Sequence, residues 1–273
     1  MNKFKGILIC TDLDGTLLKN DKSISRENLD AIEYFKSEGG YFTFITGRMP
    51  YFMSDICKCI NPNAPIGCIN GGGLYDFPKK EYVFKTELDR AALRLVEHVD
   101  KNIEGIGIQL YTLDKIYFSA ENSAMAEFRK ATGVPNITSH YHDVKEPIAK
   151  IVFGDADEKK IIALQDLLFS HPLAPMFDFI RSEHTLYEIL PKGVNKGSVI
   201  PKLCAHLSID PKRSIAIGDY NNDISMLKSA GVGVAVANAC REAKEAANYH
   251  TVSNEEHAIA TIIHDIDNKI LNI

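Results

Sequence analysis

The stretch ICTDLDGTLL, residues 9–18, places two carboxylates, Asp12 and Asp14, directly after an apolar run. The residues before Asp12 have the composition of a buried strand, so the two aspartates are expected where this strand ends. Like charges two positions apart repel each other unless a cation, a shared proton or nearby basic groups compensate them. The pair therefore predicts a functional site at a strand end.

Short apolar runs alternate with helical patterns towards both ends of the chain. The first expected strands are FKGILICTD, YFTFITGR and PIGCIN, separated by the helices SRENLDAIEYFKSEGG, with Ser25 as N-cap, and PYFMSDICKCI. The C-terminal part continues with KGSVIPKLCAHLSI, where Pro201 predicts a kink, and with RSIAIGD, NDISMLKSAG, VGVAVA and EEHAIATIIHDI. Continuous apolar strands separated by helices predict an α/β fold with a Rossmann-like, doubly wound parallel sheet.

The middle of the chain has a different pattern. The segments GIGIQLYT, DKIYFS, AKIVFG, APMFDFIRS and TLYEILP are amphipathic strands, and three helical patterns lie among them. They predict an antiparallel sheet with helices on one face, that is, an inserted α+β cap domain. The expected domains are a core of residues 1–81 and 191–273 and a cap of residues 82–190, with DFPKKE and LPKGVN as the crossings.

Composition argues against several classes of function. The 273 residues are 45% hydrophobic and 25% charged, and the net charge of -5 gives no electrostatic reason to expect a nucleic-acid partner. The first apolar run is too short for a secretory signal, and no stretch approaches the roughly 20 apolar residues of a membrane span. Six scattered cysteines are expected to be reduced thiols, which predicts a cytoplasmic protein without a membrane partner.

Polar side chains follow three of the predicted parallel strands. Asp12 and Asp14 follow the first strand, Thr46 follows YFTFI, and Asp219 and Asp223 of GDYNND follow SIAIG. The carboxyl ends of parallel strands form the edge at which open α/β sheets bind ligands. Four carboxylates in one crevice require a neutralising cation, and Mg2+ suits a set of oxygen ligands. The sequence therefore predicts a Mg2+ site formed by Asp12, Asp14, Asp219 and Asp223.

A metal ion at this edge makes the site suitable for phosphoryl chemistry. Asp12 is expected to attack phosphorus and form an aspartyl-phosphate. Asp14 is expected to protonate the leaving alcohol and then to deprotonate the hydrolytic water. The Thr46 hydroxyl can donate to phosphoryl oxygens, and Lys196 of KGVNKG supplies positive charge where transition-state charge spreads. These four residues are the expected catalytic set.

The motifs DLDGT, ITGR, VNKG and GDYNND resemble, in order and context, those of the haloacid dehalogenase-like hydrolases. The large insertion resembles the cap of the Cof-type phosphatases, class IIB, in that family. The resemblance implies that Asp12 is nucleophile and metal ligand, and that Asp14 is the acid/base and gives the metal its backbone carbonyl. It also implies that Asp219 is a metal ligand and that Thr46 and Lys196 hold the phosphoryl group.

The same resemblance implies residues on the substrate side of the site. Asp223 would orient Lys196 or a metal-bound water. One departure from the family pattern is EEHAIA, where relatives often have an Asp-Gly-Val-Ala stretch, so that His257 and Ala258 replace a glycine-containing turn. The expected substrate-binding residues, which shape the loop beside the nucleophile or border the substrate, are Gly15, Thr16, Gly47, Arg48, Asn70 and Asn222.

Several functions are compatible with this set of residues. The favoured hypothesis is a Mg2+-dependent phosphatase for a small phosphorylated metabolite, a sugar phosphate first, and flavin mononucleotide or pyridoxal phosphate next. A signalling receiver also accepts phosphate on aspartate, but it has no use for Asp14 or for a cap. A phosphometabolite sensor would not need the complete set of Asp12, Asp14, Lys196 and Asp219. A phosphotransferase shares the first half-reaction and remains an alternative.

Overall fold

The structure, a computed structural model, describes residues 2–273. Its strands are β1 (Leu8–Thr11), β2 (Tyr41–Phe44), β3 (Ile66–Cys68), β4 (Gly73–Asp76), β5 (Glu81–Lys85), β6 (Gly107–Tyr111), β7 (Ile116–Ala120), β8 (Ile137–Thr138), β9 (Lys150–Gly154), β10 (Phe177–Glu183), β11 (Leu186–Pro191), β12 (Ser214–Gly218), β13 (Val232–Ala235) and β14 (Tyr249–His250). Its α-helices are α1 (Arg26–Ser37), α2 (Ser54–Ile60), α3 (Ala92–Asn102), α4 (Ser123–Thr132), α5 (Glu158–Ser170), α6 (Val199–Leu207), α7 (Ile224–Ser229), α8 (Arg241–Ala246) and α9 (Ala258–Asp267).

Five strands form the predicted parallel sheet, in the order β14–β13–β12–β1–β2. Every neighbouring pair in it is parallel, and β1 pairs with β12 on one side and β2 on the other. The strands are apolar along their length: Leu8, Ile9 and Cys10 of β1 have no exposed surface. Such continuous burial is expected of a parallel sheet covered on both faces. The predicted α/β class is confirmed.

The strand β3 differs from expectation because it does not join this parallel sheet. It pairs antiparallel with β4, and β4 pairs antiparallel with β5, so that the three form a separate small sheet. A single bridge between Ile45 and Gly67 links β3 to the segment that follows β2. The reversal after Cys68 uses left-handed backbone at Ile69–Gly71, which strand periodicity does not reveal.

The expected kink at Pro201 is replaced by a later start of the helix. A 3-10 helix covers Lys196–Ser198, and the α-helix α6 begins only at Val199. Pro201 therefore lies in the first turn of α6, where a proline removes no hydrogen bond of the helix. Sequence reading placed the helix start too early, at the KG of KGSVIPKLCAHLSI.

The chain divides into two compact units, the first comprising Met1–Lys85 and Asn195–Ile273 and the second comprising Thr86–Val194. Each limit lies four residues after the predicted domain boundary (85 against 81, and 194 against 190), so that β5 belongs to the first unit. The second unit contains a mixed sheet in the order β10–β11–β9–β6–β7–β8, in which only β7 and β8 are parallel. This sheet agrees with the expected α+β character of the insertion.

Two of the three helices in the second unit follow the prediction that helices cover one face. Helices α3 and α5 pack their apolar residues against one face of the sheet in a shared core. Helix α4 lies on the other face, where Met125 contacts the strands at Gly107 and Gly154. In the part of the chain that the structure describes, no helix has the length and apolar character needed to cross a membrane.

Candidate active site

The adjacent strands β12, β1 and β2 of the parallel sheet bring the residues that follow them side by side. Asp12 follows β1 directly, Thr46 comes two residues after β2, and Asp219 follows β12 directly. The backbone N–H of Asp12 donates to the carbonyl of Ile217 at 2.9 Å, which continues the β1–β12 pairing past the end of β1. Because β1 has β2 on one side and β12 on the other, these residues lie at the switch point where open α/β sheets bind ligands.

Three of the predicted carboxylates form one cluster. Asp12, Asp219 and Asp223 each offer an oxygen, and these oxygens lie within 4.8 Å of one another. Glycines permit this approach: a Cβ at Gly218 would lie 2.5 Å from the Cβ of Asp223, and a Cβ at Gly15 would lie 2.5 Å from Oδ2 of Asp219. Gly15 also has φ +78°, a left-handed conformation that glycine adopts without a steric penalty.

Lys196 is the cation within this cluster. Its ammonium donates to Oδ1 of Asp12 at 2.7 Å and to Oδ1 of Asp223 at 2.6 Å. The side chain is 1% exposed, and it comes from the first residue of a 3-10 helix whose N-cap, Asn195, accepts a hydrogen bond from the backbone of Ser198. The predicted nucleophile and the predicted phosphate-holding lysine are therefore in direct contact.

With its three carboxylates ionised, the cluster carries more negative than positive charge. Burial raises the pKa of Asp12 well above its usual range, and the charges of Asp223 and Asp219 add to this rise against the opposing effect of Lys196. Burial, followed by the charge of Asp223, raises the pKa of Asp219 to about 7. Burial alone lowers the pKa of Lys196, but the carboxylates of Asp12 and Asp223 outweigh it and raise this pKa above its usual value. A bound cation would relieve the excess charge.

The donor set suits a hard divalent cation, because it consists of carboxylate oxygens alone. Of the three, Asp223 has both of its carboxylate oxygens hydrogen-bonded within the protein, whereas Asp12 and Asp219 each accept through Oδ1. Asp223 accepts from Lys196 through Oδ1, and its Oδ2 accepts from the backbone N–H groups of Asp219 and Tyr220 at 2.9 and 3.0 Å. Asp12 and Asp219 are therefore the carboxylates best suited to hold the metal, and Asp223 fixes Lys196 and the Asp219 loop.

Asp14 lies outside the carboxylate cluster and has its own basic partners. Arg48 donates to both of its oxygens, from Nε at 2.9 Å and from an Nη at 2.7 Å, and Lys22 donates to Oδ1 at 2.9 Å. Burial by itself raises the pKa of Asp14, but the hydrogen bonds and charges of Arg48 and Lys22 prevail and hold it below its usual value. Asp14 is therefore ionised here, and Lys22, in a polar loop without any motif, is a partner that sequence reading missed.

The remaining predicted substrate-side residues are also brought together. Thr46 is buried, its Oγ1 accepts from the backbone N–H of Arg48 at 3.2 Å, and its carbonyl accepts from the N–H of Asn70 at 3.0 Å. Nδ2 of Asn222 lies 3.5 Å from Oδ1 of Asn70. A Cβ at Gly47 would lie 3.1 Å from the same oxygen. Asn70 has no exposed surface, whereas Asn222 is slightly exposed.

Two side chains hold the loop beside the predicted nucleophile. Thr16 is buried and donates from Oγ1 to Oδ1 of Asp219 at 2.7 Å, so its hydroxyl binds a carboxylate of the cluster. Asn238 donates from Nδ2 to the carbonyl of Gly15 at 2.7 Å and accepts from the N–H of Asn254 at 3.0 Å. Sequence reading did not single out Asn238, although it belongs to the stretch VANAC, which contributed to the family resemblance.

Comparison with known proteins is consistent with this geometry. The family model of the haloacid dehalogenase-like hydrolases matches residues 9–263. The putative phosphatase YxeH of Bacillus subtilis is 30% identical over 271 residues, which cover 95% of this chain and 97% of YxeH. The 5-amino-6-(5-phospho-D-ribitylamino)uracil phosphatase YitU of the same organism is 28% identical over 264 residues, which cover 95% of this chain and 97% of YitU.

Solved structures show the same fold. A haloacid dehalogenase-like hydrolase from Bacteroides thetaiotaomicron superimposes with a TM-score of 0.81 at 26% identity. The match covers 96% of this chain and 100% of the other. The similarity therefore extends over both units and is not limited to the motifs around the carboxylate cluster.

Proposed function

Because the chain belongs to the haloacid dehalogenase-like hydrolases and is a phosphoric monoester hydrolase, we propose that it is a Mg2+-dependent phosphatase acting through an aspartyl-phosphate. The observation that carries this proposal is the buried cluster at the end of β1, where Lys196 contacts Asp12 and Asp223, with Asp219 alongside. A nucleophile, a cation for phosphoryl oxygens and a set of metal ligands thus occupy one edge of the sheet.

The metal would be held by the carboxylates of Asp12 and Asp219 together with the backbone carbonyl of Asp14. When bound, Mg2+ offsets the charge of the carboxylates and makes the phosphoryl group more electrophilic. Asp223 keeps the Lys196 ammonium directed at Asp12, because both oxygens of Asp223 are hydrogen-bonded within the protein. This division of roles follows from the partners that each carboxylate already has.

The chemistry then proceeds in two displacements at phosphorus. An oxygen of Asp12 forms a bond to phosphorus while the bond from phosphorus to the ester oxygen breaks, and Asp14 gives its proton to that leaving oxygen. Water next attacks phosphorus and gives its proton to Asp14, which releases phosphate and restores the Asp12 carboxylate. Lys196, the Thr46 hydroxyl and nearby backbone N–H groups hold the phosphoryl oxygens throughout.

Asp14 must change partners before it acts as an acid. Its bidentate ion pair with Arg48 and its contact with Lys22 stabilise the ionised form. We assign Arg48 to the substrate side, so that substrate binding draws its guanidinium from Asp14 and allows the carboxyl to be protonated. The ion pair between Asp14 and Arg48 is accordingly that of the enzyme before substrate binds.

The proposed substrate is a small metabolite with a phosphate ester on a polyhydroxylated carbon chain, of which a sugar phosphate is the simplest example. The substrate in the name of YitU, a phosphorylated ribityl compound, supports this class. The net charge of -5 is compatible with a small substrate and favours no nucleic-acid partner. We further propose that the protein acts in the cytoplasm.

The test is phosphate release from p-nitrophenyl phosphate with Mg2+ or with excess chelator, followed by a panel of sugar, sugar-alcohol, flavin and pyridoxal phosphates. Activity is expected only with the metal and to be greatest on a polyhydroxylated substrate. Asp12→Asn is expected to lose at least a thousandfold in kcat, because an amide is a poor nucleophile. Wild-type turnover by Asp12→Asn would rule out Asp12 as the nucleophile.

Rapid quenching and mass spectrometry distinguish hydrolysis from the other phosphoryl reactions. A phosphorylated Asp12 peptide that appears and decays within seconds, in buffer without an added alcohol, is the expected result. A phosphoenzyme that lasts for hours would indicate a phosphoacceptor. Phosphate release that requires an added alcohol or sugar would indicate a phosphotransferase.

A further inference from the structure

The turn after β3 contains three consecutive residues with left-handed backbone. Ile69, Asn70 and Gly71 have φ values of 55°, 52° and 98°. Glycine accepts this conformation and asparagine tolerates it, but a β-branched isoleucine is a genuine outlier there. Such strain persists only where the surrounding structure holds it, and it occurs preferentially at functional sites.

Backbone hydrogen bonds hold this turn against the Thr46–Arg48 loop, which follows β2. The N–H of Ile69 donates to the carbonyl of Arg48 at 3.0 Å, and the N–H of Asn70 donates to the carbonyl of Thr46 at 3.0 Å. On the other side, a Cβ at Gly71 would lie 2.1 Å from the carbonyl oxygen of Asn195, the residue before the catalytic lysine. The strained turn is therefore packed between the Thr46–Arg48 loop and the backbone that leads into Lys196.

The amide of Asn70 lies between two residues assigned to the phosphate. Its Oδ1 is 3.5 Å from Nδ2 of Asn222 and would be 3.1 Å from a Cβ at Gly47. Asn70 itself has no exposed surface, while Asn222 is 8% exposed. The amide is thus placed to act on its neighbours, Asn222 and the backbone at Gly47.

We propose that Asn70 is a positioning residue, which sets the spacing between the Thr46–Gly47 loop and Asn222 and thereby the grip on the phosphoryl group. This inference rests on the proposed function, and it replaces the expected direct contact between Asn70 and substrate. The strained turn around Asn70 serves to hold its amide at this junction. The role predicts a loss of phosphate affinity when the amide is removed and the turn is kept.

The main test compares Asn70→Gly with Asn70→Ala in the full-length enzyme, with p-nitrophenyl phosphate as substrate and inorganic phosphate as competitive inhibitor. Glycine keeps the left-handed backbone and removes the side chain that carries the amide. Asn70→Gly is therefore expected to raise KM and the phosphate inhibition constant about tenfold, with a smaller change in kcat. Asn70→Ala is expected to show the same kinetic effect and a lower unfolding temperature.

Asn61 provides a matched control, because it also has left-handed backbone, with φ 48°, but ends α2 on the surface. Asn61→Gly and Asn61→Ala impose the same changes in backbone preference as the corresponding Asn70 variants. Their KM and phosphate inhibition constants are expected to remain within twofold of wild type. A loss of phosphate affinity in Asn61→Gly equal to that in Asn70→Gly would attribute the effect to general destabilisation and overturn the inference.

A double-mutant cycle with Asn222→Ala separates positioning from direct binding. In the Asn222→Ala background, Asn70→Gly is expected to raise the phosphate inhibition constant much less than the tenfold of the wild-type background. The reason is that the side chain of Asn222, which Asn70 positions, is then absent. Full additivity would overturn the proposal. Gly47→Ala keeps the turn intact and presses a methyl group against Oδ1 of Asn70, so it is expected to raise the phosphate inhibition constant even if Asn70→Gly fails to fold.

The wild-type measurement separates this inference from the proposed function. A wild-type enzyme that hydrolyses p-nitrophenyl phosphate, together with unchanged constants in Asn70→Gly and Gly47→Ala, overturns the inference and leaves the function standing. A wild-type protein without turnover on any phosphate ester overturns both.

Discussion

At the residue scale, Lys196 links the buried carboxylates of Asp12 and Asp223 through contacts of 2.7 and 2.6 Å. Removing one partner of a buried ion pair leaves uncompensated charge and costs about 3–5 kcal/mol. Lys196→Met is therefore expected to lower the free energy of unfolding of the metal-free protein by about that amount, as measured by urea denaturation. Mg2+ is expected to restore more stability to this variant than it adds to wild type, because the unpaired carboxylates bind the cation.

Lys150→Met is the control for this prediction. Lys150 forms a buried ion pair with Glu188 at 2.9 Å in the second unit, and both side chains are less than a tenth exposed. Its removal is expected to destabilise the protein comparably, but the additional stability from Mg2+ should equal that of wild type. Equal Mg2+ effects in Lys196→Met and Lys150→Met would contradict the assigned role of Lys196.

The raised pKa of Asp219, about 7, predicts that protons compete with Mg2+. Since the folded state holds this proton more tightly than the unfolded state, whose aspartate pKa is about 4, metal-free stability falls as pH rises through this interval. Mg2+ must displace the proton, so its apparent affinity is expected to rise by about tenfold or more per pH unit up to about pH 7, and less steeply above it.

Titration calorimetry in buffers of different ionisation enthalpy measures both the Mg2+ affinity and the protons released. The pKa of Asp12 is raised as well, so the release of at least one proton per Mg2+ is expected below about pH 7. Asp219→Asn should bind Mg2+ weakly and with a shallower dependence on pH. A wild-type affinity that stays constant between about pH 5.5 and 7 would contradict the predicted competition.

At the scale of elements, the start of α9 carries a residue that is poorly suited to its backbone. His257, at φ 64°, is the N-cap of this helix and makes no capping hydrogen bond. Left-handed backbone costs a non-glycine residue about 1–2 kcal/mol, partly offset by the greater entropy that glycine loses on folding. His257→Gly is therefore expected to stabilise the protein by about 0.5–1 kcal/mol, seen as a higher unfolding temperature.

His264→Gly, in the last turns of the same helix, is the matched control. It introduces glycine where the backbone is helical, so it is expected to destabilise the protein by up to about 1 kcal/mol. The contact of His257 with Glu27, at 3.6 Å, is at the surface and contributes little. A lower unfolding temperature for His257→Gly would show that this contact or the side-chain packing outweighs the backbone preference.

The elements that sequence predicted correctly are those with a clear hydrophobic period. Four of the five parallel strands were recognisable because continuous burial leaves a continuous apolar run, and α1 because Ser25 caps it. The fifth, β14, is only Tyr249–His250, has no apolar run and was not predicted. The sheet to which β3 belongs could not be predicted, because three apolar residues pair equally well in either sheet. Strand ends located most of the candidate site, but the ion pair of Asp14 with Arg48 and Lys22 depends on tertiary approach, which residue spacing does not encode.

At the scale of the whole molecule, the second unit is expected to fold without the first. Its sheet and helices α3 and α5 share one core, whose residues all come from the insertion. The fragment 86–194 is therefore expected to unfold in one cooperative transition by circular dichroism. The shorter fragment 86–170 lacks β10 and β11, which supply part of this core, and is expected to show no such transition. Non-cooperative melting of fragment 86–194 would contradict the prediction.

The approach of the acidic side chains to glycine backbone affects how the protein tolerates mutation. A methyl group at Gly15 would collide with Asp219, one at Gly218 with Asp223, and one at Gly71 with the chain just before the catalytic lysine. None of these glycines carries a functional group, yet a saturation mutagenesis screen for activity should find them as intolerant as the aspartates. The positions that tolerate no substitution in active variants would therefore include the glycines that leave room for their neighbours, as well as the residues that take part in the chemistry.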